Sequence, residues 1–274
     1  MIPPRILIVA GSDSGGGAGI QADIKTVTMF GGFAMTAITA LTAQNTLGVD
    51  AVMSVPAGFV VRQIDAVLAD LGADAVKIGM IGSAETAEAV AERLERIETK
   101  VPIVFDPVMV ASSGSELADA TTIAAFERLI ALATLVTPNA PELAALAGRD
   151  IATAEDLEDA ALAFAQRTGT SVLAKGGHLD VPLIRDLLVE VGGETHRWEA
   201  ERIETMNTHG TGCTLASAIA CGLGQGRGLA DAADRARAFV RAAIREAPGF
   251  GGGHGPLGHA LGTMPFHLIH NKSA

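Results

Sequence analysis

Short runs of apolar and β-branched residues alternate with longer stretches of helical spacing along most of this chain, and that alternation limits the folds open to it. Strand-like runs fall at residues 6–10, 33–38, 52–55, 75–78, 103–105, 135–137 and 171–174. Helix-like stretches lie between them, at residues 19–30, 60–71, 84–97, 121–131, 140–147 and 154–167. Within 84–97, Val90, Ala91, Leu94 and Ile97 recur at helical spacing. Strand followed by helix, repeated, predicts an α/β fold with a parallel, doubly wound sheet covered on both faces. Such a sheet needs small aliphatic fillers, and the chain is 49% hydrophobic but only 4% aromatic, with no Tyr and a single Trp, Trp198.

One stretch breaks the alternation. Residues 183–191, Gly192-Gly193 and residues 194–203 predict an antiparallel hairpin with a Gly-Gly turn at the edge of the sheet. Two more helices are expected at 213–223 and 230–247, and the Gly- and His-rich stretch 249–274 is expected to be irregular. No repeat, linker or shift of composition divides the chain, so residues 1–274 are taken as one domain.

Charge narrows the function. Lys and Arg number 20 against 31 Asp and Glu, a net charge of −11, with no basic stripe. That excludes a nucleic-acid binder and argues against a membrane-surface role. The first apolar run, 6–10, is too short for a signal segment or a membrane span and is expected to be a buried strand of a cytoplasmic protein. The two cysteines, Cys213 and Cys221, would lie roughly 12 Å apart on one helix, too far for a disulfide. Both are therefore expected to be reduced.

Six motifs offer chemistry. Gly11-Ser12-Asp13-Ser14-Gly15-Gly16-Gly17-Ala18-Gly19 joins the first strand to the first helix, where open α/β sheets bind ligands. It fits neither the dinucleotide fingerprint nor the P-loop. Its glycines exceed what one turn needs, which points to backbone approaching a ligand; a tight connection with positive φ is the alternative. Gly210-Thr211-Gly212-Cys213 opens a small-residue helix whose first N–H groups and dipole form an anion hole. That position is expected to lower the Cys213 thiol pKa from about 8.5 and make it a candidate base, against the alternative of a buried small hydrophobe. Asp106-Pro107 ends a strand and suits Mg²⁺, or else caps a turn. In Thr137-Pro138-Asn139-Ala140-Pro141-Glu142, Asn139 and Glu142 have the spacing of a capping box, which metal binding could accompany. Lys175 beside Gly176-Gly177 can reach a phosphate, and His178 is read as structural. Gln44, in Thr42-Ala43-Gln44-Asn45, offers the donor and acceptor that an aminopyrimidine edge needs, though on its own the segment reads as a loop.

Together these residues resemble the hydroxymethylpyrimidine/phosphomethylpyrimidine kinases of thiamine biosynthesis, in the ribokinase-like superfamily. The matching stretches are GSDSGGGAGIQADIKT (11–26), TALTAQNT (39–46), VKIGMIGS (76–83), DPVMVASSG (106–114), TPNAPE (137–142), LAKGGHL (173–179), THGTGCTLASAIA (208–220) and GHGPLGH (253–259). The resemblance implies a three-layer α/β/α sandwich with a mostly parallel central sheet. It also implies two successive transfers from ATP, onto the pyrimidine alcohol and then onto its monophosphate. By the family pattern, Gln44 binds the pyrimidine ring, and Asp23, Thr42, Met80 and Val108 shape the same pocket. Asp106 and Glu142 hold Mg²⁺, partly through water; Lys175, Gly210, Thr211 and Gly212 meet the ATP phosphates; Cys213 is the base. Cys at that position points to the pyrimidine branch, though some pyridoxal kinases share it. Ser112 stands where the family often has Lys. The family also suggests a homodimer. Three readings compete: a pyridoxal kinase of the same fold, a nicotinamide-dependent oxidoreductase, and a non-catalytic vitamin-binding protein.

Overall fold

The computed structural model describes residues 2–97, 100–111, 114–115 and 117–261; Ser112 and residues 262–274 lie outside them. The strands are β1 (Arg5–Asp13), β2 (Phe33–Gln44), β3 (Val49–Ser54), β4 (Ala75–Ile78), β5 (Ile103–Phe105), β6 (Leu135–Val136), β7 (Ser171–Lys175), β8 (Leu183–Val189) and β9 (Thr195–Glu201). The helices are α1 (Gly19–Met29), α2 (Ala57–Asp70), α3 (Ala84–Glu95), α4 (Ala120–Leu132), α5 (Ala140–Ala147), α6 (Ala154–Thr168), α7 (Thr211–Gly224) and α8 (Leu229–Arg245). The strands form one sheet in the order β3-β2-β1-β4-β5-β6-β7-β8-β9. From β2 through β7 all neighbours are parallel.

Both edges are antiparallel, where the sequence predicted only one. The β8–β9 hairpin is the expected one, paired from Leu183↔Glu201 to Val189↔Thr195. At the opposite edge β3 folds back on β2, with Leu41 opposite Met53. To reach that partner β2 continues to Gln44, so the segment that reads as a loop in isolation is the end of a strand. A strand's extent is set by its partner as much as by its own propensity.

Side chains along β1 alternate between two cores, as the period of two requires. Leu7 and Val9 pack with Val60 and Ile64 of α2, Val90 of α3, Phe126 of α4, Leu143 of α5 and Phe164 of α6. Ile6, Ile8 and Ala10 pack with Ile20 and Val27 of α1, Ile219 of α7 and Ala236 of α8. The result is the three-layer α/β/α sandwich. Helix starts are fixed locally: Ser83, Asp119, Asn139 and Thr153 each accept a first-turn N–H. Asn139 and Glu142 do form the expected capping box. No helix among the described residues is long and apolar enough to cross a membrane.

Residues 246–261, the described part of the segment after α8, are irregular, as expected there, but tied down. The His254 N–H donates to the Thr46 carbonyl at 2.9 Å, and the His209 N–H donates to the Gly255 carbonyl at 3.1 Å.

Candidate active site

The sheet reverses its winding between β1 and β4, and in open α/β sheets ligands gather beyond the strand ends at such a point. Asp13 ends β1, Gln44 ends β2, Lys175 ends β7, and Asp106 follows β5 directly. Met80 stands two residues beyond β4, where a Cβ on Gly11 would lie 3.0 Å from its Sδ.

Two backbone loops interlock here. Gly210 precedes α7 at φ +86, and a Cβ on it would sit 2.0 Å from the Gly17 carbonyl oxygen. Gly19 has φ +55 and equally little room beside the Gly11 carbonyl. Both positions therefore demand glycine. A Cβ on Gly17 would strike the His209 ring at 2.4 Å. Gly17 and Gly210 thus serve contact between the two loops, and Gly19 a close approach within its own loop.

One group of side chains surrounds Gln44. The Thr42 hydroxyl lies 3.0 Å from the Ser12 carbonyl and 3.2 Å from Gln44 Oε1. Gln44 Nε2 is 3.4 Å from His209 Nε2, which is 2.9 Å from Asp13 Oδ2. Asp13 also accepts N–H groups from Gly15, Gly17 and Ala18. Burial works to raise its pKa, but the His209 bond and these donors outweigh it, and the carboxyl titrates below the usual range.

A second group surrounds Asp106, which is 1% exposed. Asp106 Oδ1 accepts from Thr137 Oγ1 at 3.0 Å and from Lys175 Nζ at 3.1 Å. Its Oδ2 is buried without a hydrogen-bond partner. A buried carboxylate oxygen lacking a donor is what a hard cation would complete. A Cβ on Gly212 would lie 3.2 Å from Asp106 Oδ2 and 3.3 Å from Lys175 Nζ, so α7 starts against this corner. Glu142 is buried; desolvation, joined by the Asp106 charge and opposed by Lys175, pushes its pKa up to about 7. Its Oε2 already accepts the Asn139 N–H at 2.8 Å, which leaves less capacity for direct ligation. Lys175 stays protonated despite burial because Asp106 and Glu142 face it. Val108 is half-buried and turns back to donate its N–H to the Asp106 carbonyl at 2.8 Å.

Two expectations change. Asp23 does not surface in the pocket: it is 0% exposed, with both oxygens 2.9 Å from Lys77 Nζ and Oδ1 accepting from Ser217 Oγ at 2.7 Å. A carboxylate that deep needs a cation, and β4 supplies one. The Cys213 thiol is not acidified either. Burial pushes it up to about 12, with Asp23 and Asp106 adding to the rise and Lys77 opposing it. The start of α7 does not offset that desolvation. Asp13, His209 and Lys77 are the site-forming residues that sequence reasoning did not single out; the lone ionisable residue in the apolar strand Ala75–Ile78 was the available signal for Lys77.

The profile of the phosphomethylpyrimidine kinase family matches residues 13–258. The chain belongs to that family. The hydroxymethylpyrimidine/phosphomethylpyrimidine kinase of Rhizobium meliloti is 49% identical over 258 residues, which cover 92% of this chain and 96% of that protein. The thiamine biosynthesis bifunctional protein of Geobacter sulfurreducens is also 49% identical, over 93% of this chain but 52% of its own length. This chain thus spans about half of that longer relative, and 35% of the multifunctional one from Corynebacterium efficiens. Among solved structures, the phosphomethylpyrimidine kinase of Clostridium difficile superposes with TM-score 0.76 at 38% identity, covering 89% of this chain and 100% of that one. The Bacillus subtilis pyridoxal kinase in its ADP complex reaches 0.85 at 32% identity, covering 94% and 98%. The ribokinase-like fold is therefore shared by kinases named for two different substrates, a pyrimidine and pyridoxal.

Proposed function

We propose that this chain transfers a phosphoryl group from ATP, with Mg²⁺, to the hydroxymethyl group of 4-amino-5-hydroxymethyl-2-methylpyrimidine and then to the resulting monophosphate, within one kinase domain spanning residues 1–274. The observation that carries this reading is that one helix start joins two kinds of chemistry. His209, just before α7, stands beside Gln44, and Gly212, within its first turn, stands beside Asp106 and Lys175. A ring reader and a phosphate corner on one element are what transfer to a heteroaromatic alcohol requires.

Gln44 reads the amino edge of the ring, with Thr42, Met80 and Val108 around it and Asp23 buried beneath. Asp106, through its unpartnered oxygen, and Glu142, through water, would hold Mg²⁺, which neutralises charge on the phosphates. Lys175 and the first N–H groups of α7, at Gly210, Thr211 and Gly212, take phosphate oxygens. Cys213 receives the alcohol proton as its thiolate, a form that Lys77 favours and burial opposes. Phosphoryl transfer through a loose transition state leaves most of the rate to positioning and charge stabilisation, with proton transfer late.

The relatives' names support the pyrimidine, while the TM-score of 0.85 to pyridoxal kinase favours pyridoxal as a second reading. An ADP-release assay with Mg·ATP, comparing the pyrimidine alcohol, its monophosphate and pyridoxal, separates them. Turnover of both pyrimidines with slow pyridoxal supports the proposal; fast turnover of pyridoxal alone replaces it. A homodimer is part of the same reading, because the edge strand β3 leaves Val52 and Met53 47% and 61% exposed. Cytoplasmic action accords with ATP use and with two free thiols.

A further inference from the structure

Asp13 and His209 lie beside the ring pocket, and the transfer chemistry does not use them. Asp13 is 3% exposed and His209 is 6% exposed. The Asp13 carboxylate takes three backbone N–H groups within 3.0 Å, besides the imidazole at 2.9 Å. An ionised carboxylate only accepts, so His209 must carry a hydrogen on Nε2. Gln44 turns its side-chain amide toward that same Nε2, at 3.4 Å. With the amide nitrogen there, donor faces donor. Which end of an amide is nitrogen follows from its hydrogen-bond network. Turned over, Gln44 Oε1 faces the Nε2–H edge as the longer arm of a hydrogen bond shared with Asp13, and its NH₂ group donates one hydrogen to Thr42 Oγ1, whose own hydrogen goes to the Ser12 carbonyl 3.0 Å away. No donor then faces a donor, and the second amide hydrogen is left for the ring.

We infer that Asp13 and His209 form a relay that fixes the Gln44 amide in one orientation, so that the site selects a 4-aminopyrimidine against its 4-oxo counterpart. The two rings present opposite patterns. The 4-amino ring offers an N–H donor beside the N3 acceptor; the 4-oxo ring offers a carbonyl acceptor beside an N3–H donor. A fixed amide satisfies one pattern and leaves the other unpaired, whereas a free amide rotates to suit either. His209 is a positioning residue in this account, acting on substrate through Gln44. Its own placement comes from Gly17, against which the ring packs, and from the segment after α8, where Gly255 accepts its N–H. The inference rests on the pyrimidine reading of Gln44.

The test compares Kd and kcat/KM for the 4-amino substrate and its 4-oxo analogue in wild type, His209→Leu and His209→Gln, with thermal unfolding recorded for each. In wild type the 4-amino form is preferred at least about a hundredfold, as expected for a site whose buried polar groups would otherwise stay unpaired. In His209→Leu the preference falls at least about tenfold, mainly through KM and Kd; His209→Gln, which retains a donor, recovers part of it. A merely structural role would weaken both ligands equally, and an unchanged ratio in His209→Leu overturns the relay alone. Failure of wild type to bind the 4-amino ring overturns both the substrate reading and this inference. A ligand-free readout comes from ¹⁵N NMR of the His209 ring: a hydrogen on Nε2 is expected, and a ring protonated only on Nδ1 overturns the relay whatever the substrate.

Discussion

Replacing Lys77 by Met should destabilise the protein by about 3–5 kcal/mol. Lys77 and Asp23 are both 0% exposed, joined by two 2.9 Å contacts, with Ser217 as the further donor to Asp23. Met fills much of the same space, so the loss is electrostatic: the carboxylate would keep only a serine hydroxyl. A partner removed from a buried pair leaves a charge that neither water nor protein compensates. The double variant Lys77→Met/Asp23→Leu removes both charges and should lie within about 1–2 kcal/mol of wild type, giving a coupling of at least about 2 kcal/mol. Urea unfolding followed by the fluorescence of Trp198 and by circular dichroism reads all four proteins. The pH dependence adds a sign. Burial already raises the Asp23 pKa, and without Lys77 it rises further. The variant's penalty is therefore full above that raised pKa and shrinks as pH falls through it, with wild type as reference. A Lys77→Met protein within about 1 kcal/mol of wild type at pH 7.5, or a double variant no better than the single, would refute the reasoning.

Other consequences follow from the same geometry. Cys213→Ala should lower kcat strongly, roughly a hundredfold, with little change in KM, because it removes a group that acts in the transition state; a kcat within a few-fold of wild type ends its assignment as base. Gln44→Ala should weaken pyrimidine binding about tenfold or more while ATP affinity holds, and calorimetry showing an unchanged pyrimidine Kd would contradict that. His259 is 5% exposed beside Thr214 Oγ1 at 2.9 Å, and burial holds its pKa down at about 4. The unfolded chain takes this proton below about 6.5 and the folded protein does not, so stability should fall between pH 6.5 and 4 by up to about 3 kcal/mol. His259→Leu should flatten that part of the pH–stability curve, and equal slopes in the two proteins would exclude the effect.

Features carried by local pattern could be read from the sequence, and features carried by distant partners could not. Strands Ala75–Ile78 and Ile103–Phe105, the Gly192-Gly193 hairpin and the Asn139–Glu142 capping box each depend on neighbours within a few residues. The continuation of β2 to Gln44 depends on β3 turning back to pair with it, so the segment looked like a loop in isolation. Asp106 and Lys175 were chosen by residue type at strand ends, and the fold brings them to 3.1 Å across 69 positions. The cation that buries Asp23 is 54 residues away and the carboxylate that holds His209 is 196 away, so local pattern reveals neither pairing. The Cys213 thiol shows the limit of a one-factor argument: a helix start favours a thiolate, yet desolvation together with the Asp23 and Asp106 charges decides the outcome.

The central strand β1 precedes the other eight strands, but the helices covering its Ile6, Ile8 and Ala10 side include α7 and α8, which follow all nine. During synthesis at about 5–20 residues per second, that face of the sheet stays open for on the order of ten seconds or more before residue 224 emerges. The nascent chain in that interval is a half-covered sheet with an aggregation-prone face, and it suits capture by a chaperone that binds extended apolar segments. Asp13 likewise waits 196 residues for His209, so the pocket forms only after all nine strands have been made.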